Sequence, residues 1–205
     1  VVRTSNRQVV QILKTGPSTH AANVYPDDKG ALVSVIGEGA LVEILIDLEQ
    51  ELFTIGRRLI LSQDPALLGK ATEFGASNPL ESPKAVPITA TFTQDGSYAY
   101  VPIKPGGLVI INMNTFQVEK AFPMSVVNTN LMGLLSLDGA KMYVNGGSLD
   151  GANHVYMFDT TTHEVLAYES TNGLDAHGLD LTSDGKELWI TNRKSSSISI
   201  IDTES

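Results

Sequence analysis

The chain has 205 residues, no cysteine, 42% hydrophobic and 18% charged residues, and a net charge of −9. That length buries a core as one domain, and the missing cysteines exclude disulfides, thiolate metal sites and a cysteine nucleophile. No apolar run approaches the roughly 18 residues of a membrane-spanning helix, and the acidic balance argues against nucleic acid, whose phosphates require a basic stripe.

Taken in order, residues 1–14 contribute one isolated outer strand. Residues 19–55 form a first unit: a short strand, an Asp-rich turn at Asp28-Lys29-Gly30, a second strand, a hairpin at Gly37-Glu38-Gly39, a third strand ending at Asp47, and a fourth strand. Residues 62–86, rich in Gly, Ser, Asn and Pro, interrupt the pattern and read as a loop insertion crossing one face. A single helical turn is expected at 65–70, with Asp64 as its cap and Pro65 at its first position. Residues 87–122 repeat the unit, with a turn at Asp95-Gly96, a hairpin at Pro105-Gly106-Gly107 and a β-branched run at 108–111. Residues 130–168 repeat it again, with Asp138-Gly139 and an apolar run at 155–158. Its Gly-rich segment 146–153 lacks the acidic spacing of a calcium loop and reads as a long hairpin tip. Residues 176–202 are the clearest copy, with Asp184-Gly185 and a run at 198–201, but the fourth strand is missing.

Two rulers agree on the register. The Asp turns are spaced by about 67, 43 and 46 residues, against roughly 40–50 for a repeated four-stranded unit. The polar residue closing each third strand lies six positions before an apolar residue of the fourth: Asp47 and Phe53, Asn112 and Val118, Asp159 and Val165, and at the N-terminus Arg3 and Val9. Repeats of this length and content specify an all-β chain, a β-propeller of four-stranded blades. About four blades are present. One reading closes them into a small ring, residues 7–13 pairing antiparallel with Ile198–Asp202 in the same molecule or in a neighbour; the other places them in a larger propeller, with further blades from a longer chain or another subunit.

The segment Leu188-Trp189-Ile190-Thr191-Asn192, followed by Ile198-Ser199-Ile200-Ile201-Asp202-Thr203, resembles the repeat named for its Tyr-Val-Thr-Asn core, the YVTN-type propeller. Tyr143-Val144-Asn145 and Tyr100-Val101-Pro102 are degenerate copies of that core. The resemblance implies a propeller of commonly seven blades. It spans surface-layer and adhesion modules, sugar-phosphate lactonases and the haem-binding propeller of nitrite reductases, so it implies architecture more than activity.

Candidate chemistry centres on the inner strands. Aligned on their turns, His20, Ile88, Leu131 and His177 share one column near the mouth of the central channel. Ala22, Ala90 and Gly133 follow, small where strands converge. Two histidines in one ring suit metal or haem ligation, or acid–base work; the alternative is that each bonds a neighbouring loop. No recurring carboxylate completes a three-ligand metal site. Asp180 and Asn23 are candidate supporting partners. His154 and His163 read as surface hairpin residues, Arg193-Lys194 as solvated turn charge, and Trp189 as packing between blades.

Two functions of different class follow. The first is a non-enzymatic module, periplasmic or extracellular, presenting loops to a protein or glycan. The second is an enzyme or cofactor-binding propeller with a channel-mouth site using His20 and His177, acting in lactone hydrolysis or haem- or metal-linked redox chemistry. The cofactor is left open.

Overall fold

The computed structural model describes residues 1–126, 132–147 and 153–204. Leu131 and most of the 146–153 hairpin tip lie outside the described residues. The chain is an all-β propeller arc. A short hairpin, β1 (Val2–Arg3) and β2 (Gln8–Val9), opens it. The first blade is β3 (Thr19–Val24), β4 (Gly30–Val35), β5 (Ala40–Asp47) and β6 (Leu52–Ile60). The second has an inner strand broken into β7 (Val86–Pro87) and β8 (Thr91–Phe92), then β9 (Tyr98–Lys104), β10 (Leu108–Asn112) and β11 (Gln117–Phe122). The third is β12 (Met132–Leu135), β13 (Lys141–Gly147), β14 (Asn153–Asp159) and β15 (Val165–Ser170). The fourth has three strands, β16 (Ala176–Leu181), β17 (Glu187–Asn192) and β18 (Ser197–Asp202). Each blade is an antiparallel meander in chain order.

Both rulers are turn chemistry. After each inner strand an Asp carboxylate accepts the N–H two residues on: Asp27 from Lys29, Asp95 from Ser97, Asp138 from Ala140 and Asp184 from Lys186. The intervening residue has positive φ, supplied by Gly96, Gly139 and Gly185 at no steric cost and by Asp28 in the first blade. The turn Asp there is therefore Asp27, and Gly30 already begins β4. At the end of the third strand Asp47, Asn112 and Asp159 accept N–H groups two or three residues on. The fourth residue after each, Glu51, Phe116 and His163, is left-handed, as is Arg7 in the N-terminal hairpin. That conformation aims its side chain back at the preceding layer. Glu51 pairs with Arg3, Phe116 lies under the Arg57 guanidinium at 4.5 Å, and His163 Nδ1 sits 2.8 Å from the Tyr100 hydroxyl.

His163 is thus buried between the second and third blades, where the sequence reading placed it on the surface. Burial pulls its pKa down and pushes that of Tyr100 up. The core consists of the blade interfaces. Leu32 and Leu41 of the first blade cluster with Val101, Ile103, Val109 and Ile111 of the second. Tyr100, Leu108 and Ile110 meet Met142, Val144, Tyr156 and Phe158 of the third. Tyr143 and Val155 meet Ala176, Leu188 and Ile190 of the fourth. Gly133 is required by this convergence: a Cβ there would lie 2.9 Å from the Thr91 hydroxyl, which donates to the Gly133 carbonyl.

Three further expectations are corrected. Residues 7–13 do not pair with Ile198–Asp202 within the chain; β2 pairs with β1, and the segment after it seats Leu13 on the first blade, in the cluster of Val33, Val35 and Val42. Residues 65–70 form a turn rather than a helix. Asp64 still caps it, accepting the Ala66 N–H, while its other oxygen accepts the Val118 N–H in β11; the helical turns are 3-10 segments at Leu61–Gln63 and Ala71–Phe74. Trp189 is not packed between blades but 41% exposed. The 62–86 insertion is itself core material: Leu67, Ala71, Phe74 and Ala85 are buried, most of them in the cluster between the first two blades.

Candidate functional site

In a meander blade the inner strand starts at the end where the second and third strands meet in a hairpin. His20 and His177 are each the second residue of an inner strand, so both stand at the hairpin end of their blades. His20 Nδ1 lies 2.9 Å from the Ile88 carbonyl of the next blade. A carbonyl only accepts, so Nδ1 carries the proton and Nε2 is left as the basic nitrogen. Asn23, three residues on, accepts the Ala90 N–H of the same neighbouring strand. His20 therefore bonds the neighbouring blade, as one of the two readings anticipated, while keeping a free ring nitrogen.

At this end lies an open cavity of about 860 Å³. Its walls come from the first blade's hairpin at Ile36, Gly37 and Glu38, the insertion at Ser62, Gly75, Lys84 and Val86, and the second blade's hairpin at Lys104 and Pro105. The insertion supplies this wall because buried anchors fix it: Phe74 accepts the Lys84 N–H through its carbonyl, and Leu61 donates to the Gly39 carbonyl. Glu38 is neutralised by Arg58 at 2.5 Å. Lys84 and Lys104 make no ion pair among the described residues, so the cavity carries net positive charge within an acidic protein. His20 is tied to Ile88, two residues from Val86 in the cavity wall.

His177 lines a separate cavity of about 350 Å³ on the fourth blade, with Thr191, Asn192 and Arg193. Asp180 is exposed, and its carboxylate accepts the N–H of Leu181 beside it. Arg193 is not free turn charge: it holds Asp175 at 2.6 Å. His154 is half-buried against Tyr168. Among the described residues no group of three or more His, Asp or Glu is placed to hold a metal ion, and no helix is long and apolar enough to cross a membrane. The sequence reading missed Lys84 and Lys104. Each adjoins a proline, Pro83 and Pro105, at a boundary of the insertion or a hairpin, which is the signal they offered.

No family model matches the sequence, and no curated protein matches it. Solved structures do. The Pseudomonas aeruginosa periplasmic gluconolactonase matches with a TM-score of 0.70 at 15% identity, over 98% of this chain and 57% of that one. Hydrazine synthase of Kuenenia stuttgartiensis gives 0.70 at 15% identity, over 98% and 56%. A Bacteroides uniformis protein assigned as a candidate 6-phosphogluconolactonase gives 0.64 at 14% identity, over 98% and 53%. The chain spans just over half the length of these structures, and likeness at this identity shows the propeller fold.

Proposed function

We propose that this chain is part of a lactone-hydrolysing propeller of the YVTN repeat type, acting in the periplasm or outside the cell, with its site in the cavity between the first two blades. The observation that carries this reading is His20, bonded through Nδ1 to Ile88, two residues along the chain from Val86 in the wall of a cavity lined by Lys84 and Lys104, which make no ion pair among the described residues. The lactonase names of two similar structures, one of them periplasmic, support it over a purely scaffolding role. In the reaction, His20 Nε2 takes a proton from water as its oxygen adds to the lactone carbonyl. The ring C–O bond then breaks, and the departing alkoxide recovers the proton, so lactone and water become the open hydroxy acid. Lys84 and Lys104 hold the sugar oxygens or an acidic substituent and stabilise the developing oxyanion.

The test is acid release from glucono-δ-lactone at constant pH. His20→Gln is expected to lower kcat by about 10²-fold or more with unchanged circular dichroism, and Lys84→Ala with Lys104→Ala to raise KM and lower kcat together. An unaltered rate in His20→Gln refutes the assignment. Absence of any hydrolysis by the parent chain returns the protein to the binding-module reading, with a protein or glycan partner.

A further inference from the structure

The cavity between the first two blades is rich in hydrogen-bond donors and in apolar surface, and poor in acceptors. Among the described residues that line it, Glu38 is the one carboxylate, and Arg58 already holds one of its oxygens. Ser62 supplies the one hydroxyl. The Lys84 and Lys104 ammoniums only donate, and neither is matched by an ion pair among the described residues. Ile36, Val86, Pro105 and Met124 bring hydrocarbon and thioether to the same wall. Close packing sets part of that wall. A Cβ on Gly75 would lie 2.5 Å from Pro105 Cγ and 3.7 Å from Met124 Sδ, so glycine there lets the proline and the methionine lie side by side.

This lining does not match a sugar. Glucono-δ-lactone carries a hydroxyl on most of its carbons, and each hydroxyl is a donor that needs an acceptor once water is excluded. A buried donor left without one weakens binding. Ammonium groups cannot accept, and the free Glu38 oxygen and the Ser62 hydroxyl serve few. A carboxylate joined to a hydrocarbon flank matches both halves of the wall. The anion supplies the ion pairs that Lys84 and Lys104 lack, and the flank displaces water from Val86 and Met124. Met124, unbranched and polarisable, adapts to flanks of different shape. At about 860 Å³ the cavity holds a ring together with such a flank.

We propose that this cavity takes an amphipathic carboxylate, and that its substrate is a lactone ring bearing one carboxylate and an alkyl or aromatic flank rather than a polyhydroxylated sugar lactone. Lys84 and Lys104 hold the carboxylate, and Val86 and Met124 hold the flank. The lactone ring rests on the hydrolytic reading above. The carboxylate and the flank rest on the cavity wall alone.

Binding and hydrolysis are measured apart, so that the two readings fail apart. Calorimetric titration of the 205-residue chain compares octanoate with gluconate, which share a single carboxylate and contain no lactone. Octanoate is expected to bind more tightly by about tenfold or more. Met124→Asp and, as a milder change, Val86→Ser are each expected to weaken octanoate several-fold and to leave gluconate unchanged, while Lys84→Ala with Lys104→Ala weakens both. Gluconate binding as tightly as octanoate, or no octanoate binding, overturns the proposal. So does octanoate binding that survives both wall variants, because the acid then sits on an exposed apolar face elsewhere. In hydrolysis, a γ-butyrolactone carrying a carboxylate and a hexyl chain is expected to exceed glucono-δ-lactone in kcat/KM, and the reverse order overturns the proposal. Octanoate preference with neither lactone opened upholds the carboxylate class and refutes hydrolysis.

Discussion

The first and last blades share strand order, pairing and turn chemistry, yet bury their end faces differently. On the first blade, Val33, Val35 and Val42 lie under a cover that includes Leu13 of the N-terminal segment. On the last, Trp189, Ile198 and Ile200 face solvent. Strand pairing sets the columns: Trp189 pairs with Ile200 and Thr191 with Ile198, Tyr100 with Ile110 and Pro102 with Leu108, and Leu32 with Glu43. The sheets differ little; what lies against them differs. Turns and pairing are local and form regardless, whereas burial of a blade face depends on the adjacent layer. Stability in such an array resides in the interfaces between repeats.

Removing residues 1–14 is expected to have the largest effect, because it turns the first face into a second open one. Re-exposing two or more aliphatic side chains costs roughly 3–6 kcal/mol, read as a lower urea midpoint or as aggregation. If the truncated chain is equally stable, the N-terminal segment is not a cover.

Tyr100→Ala should cost about 3–5 kcal/mol, the range for removing a buried aromatic ring, and it also strands His163. Trp189→Ala, in the same column, should cost well under about 1 kcal/mol in this chain, as surface substitutions do. Comparable losses would mean that the open face is closed in solution.

Glu43 sharpens the contrast within the first blade. It occupies the column of Ile110 and Ile200 yet is a buried carboxylate held by Arg57 at 2.5 Å and by the Tyr25 hydroxyl. The Arg57 hydrogen bonds hold its pKa below the ordinary value. A depressed carboxylate contributes stability that is complete above the unfolded pKa, near 4.3, and is lost as pH falls through the folded one. Glu43→Gln should flatten stability against pH below about 4.5 and cost about 1–3 kcal/mol near neutrality.

His163 has the opposite chemistry. Burial lowers its pKa, because the charged ring is disfavoured away from water. Stability is complete above the unfolded value near 6.5 and declines as pH falls below it. His163→Gln should remove that decline, and a parent chain equally stable at pH 7 and pH 5 would contradict the assignment.

The turns carry the smallest effects. Hydrogen bonds from Ser97 and Thr93 bring the Asp95 pKa down to about 2. Asp95→Ala should cost about 1 kcal/mol, and the parent's advantage should fade between about pH 4 and pH 2 as the carboxylate is protonated.

The blade boundaries were legible in the sequence because they are local. An Asp that accepts the N–H two residues on, with a left-handed residue between, leaves a fixed spacing of Asp, Gly and the next strand. The three strands of the fourth blade, β16 to β18, were legible for the same reason. What depended on neighbours was not. His163 reads as a polar turn residue, and only its left-handed backbone turns the ring toward Tyr100. Leu67 and Phe74 sit in a segment rich in loop formers, and nothing local shows that they enter the inter-blade core. Lys84 and Lys104 are apart in sequence, and the cavity that unites them exists only once the insertion is anchored. His20 and His177 were found by column alignment. That alignment identifies equivalent positions, and of the two histidines His20 bonds the next blade while His177 is exposed.

The most direct test of the central claim, that the fourth blade presents an uncovered copy of an interface buried elsewhere, is the pair Leu108→Ala and Ile198→Ala measured by urea denaturation of the 205-residue chain. The two residues occupy one column, fully buried in the second blade and 58% exposed in the fourth. The account predicts a loss of about 2–5 kcal/mol for the first and within about 0.5 kcal/mol of no change for the second. Equal losses at the two positions would contradict it.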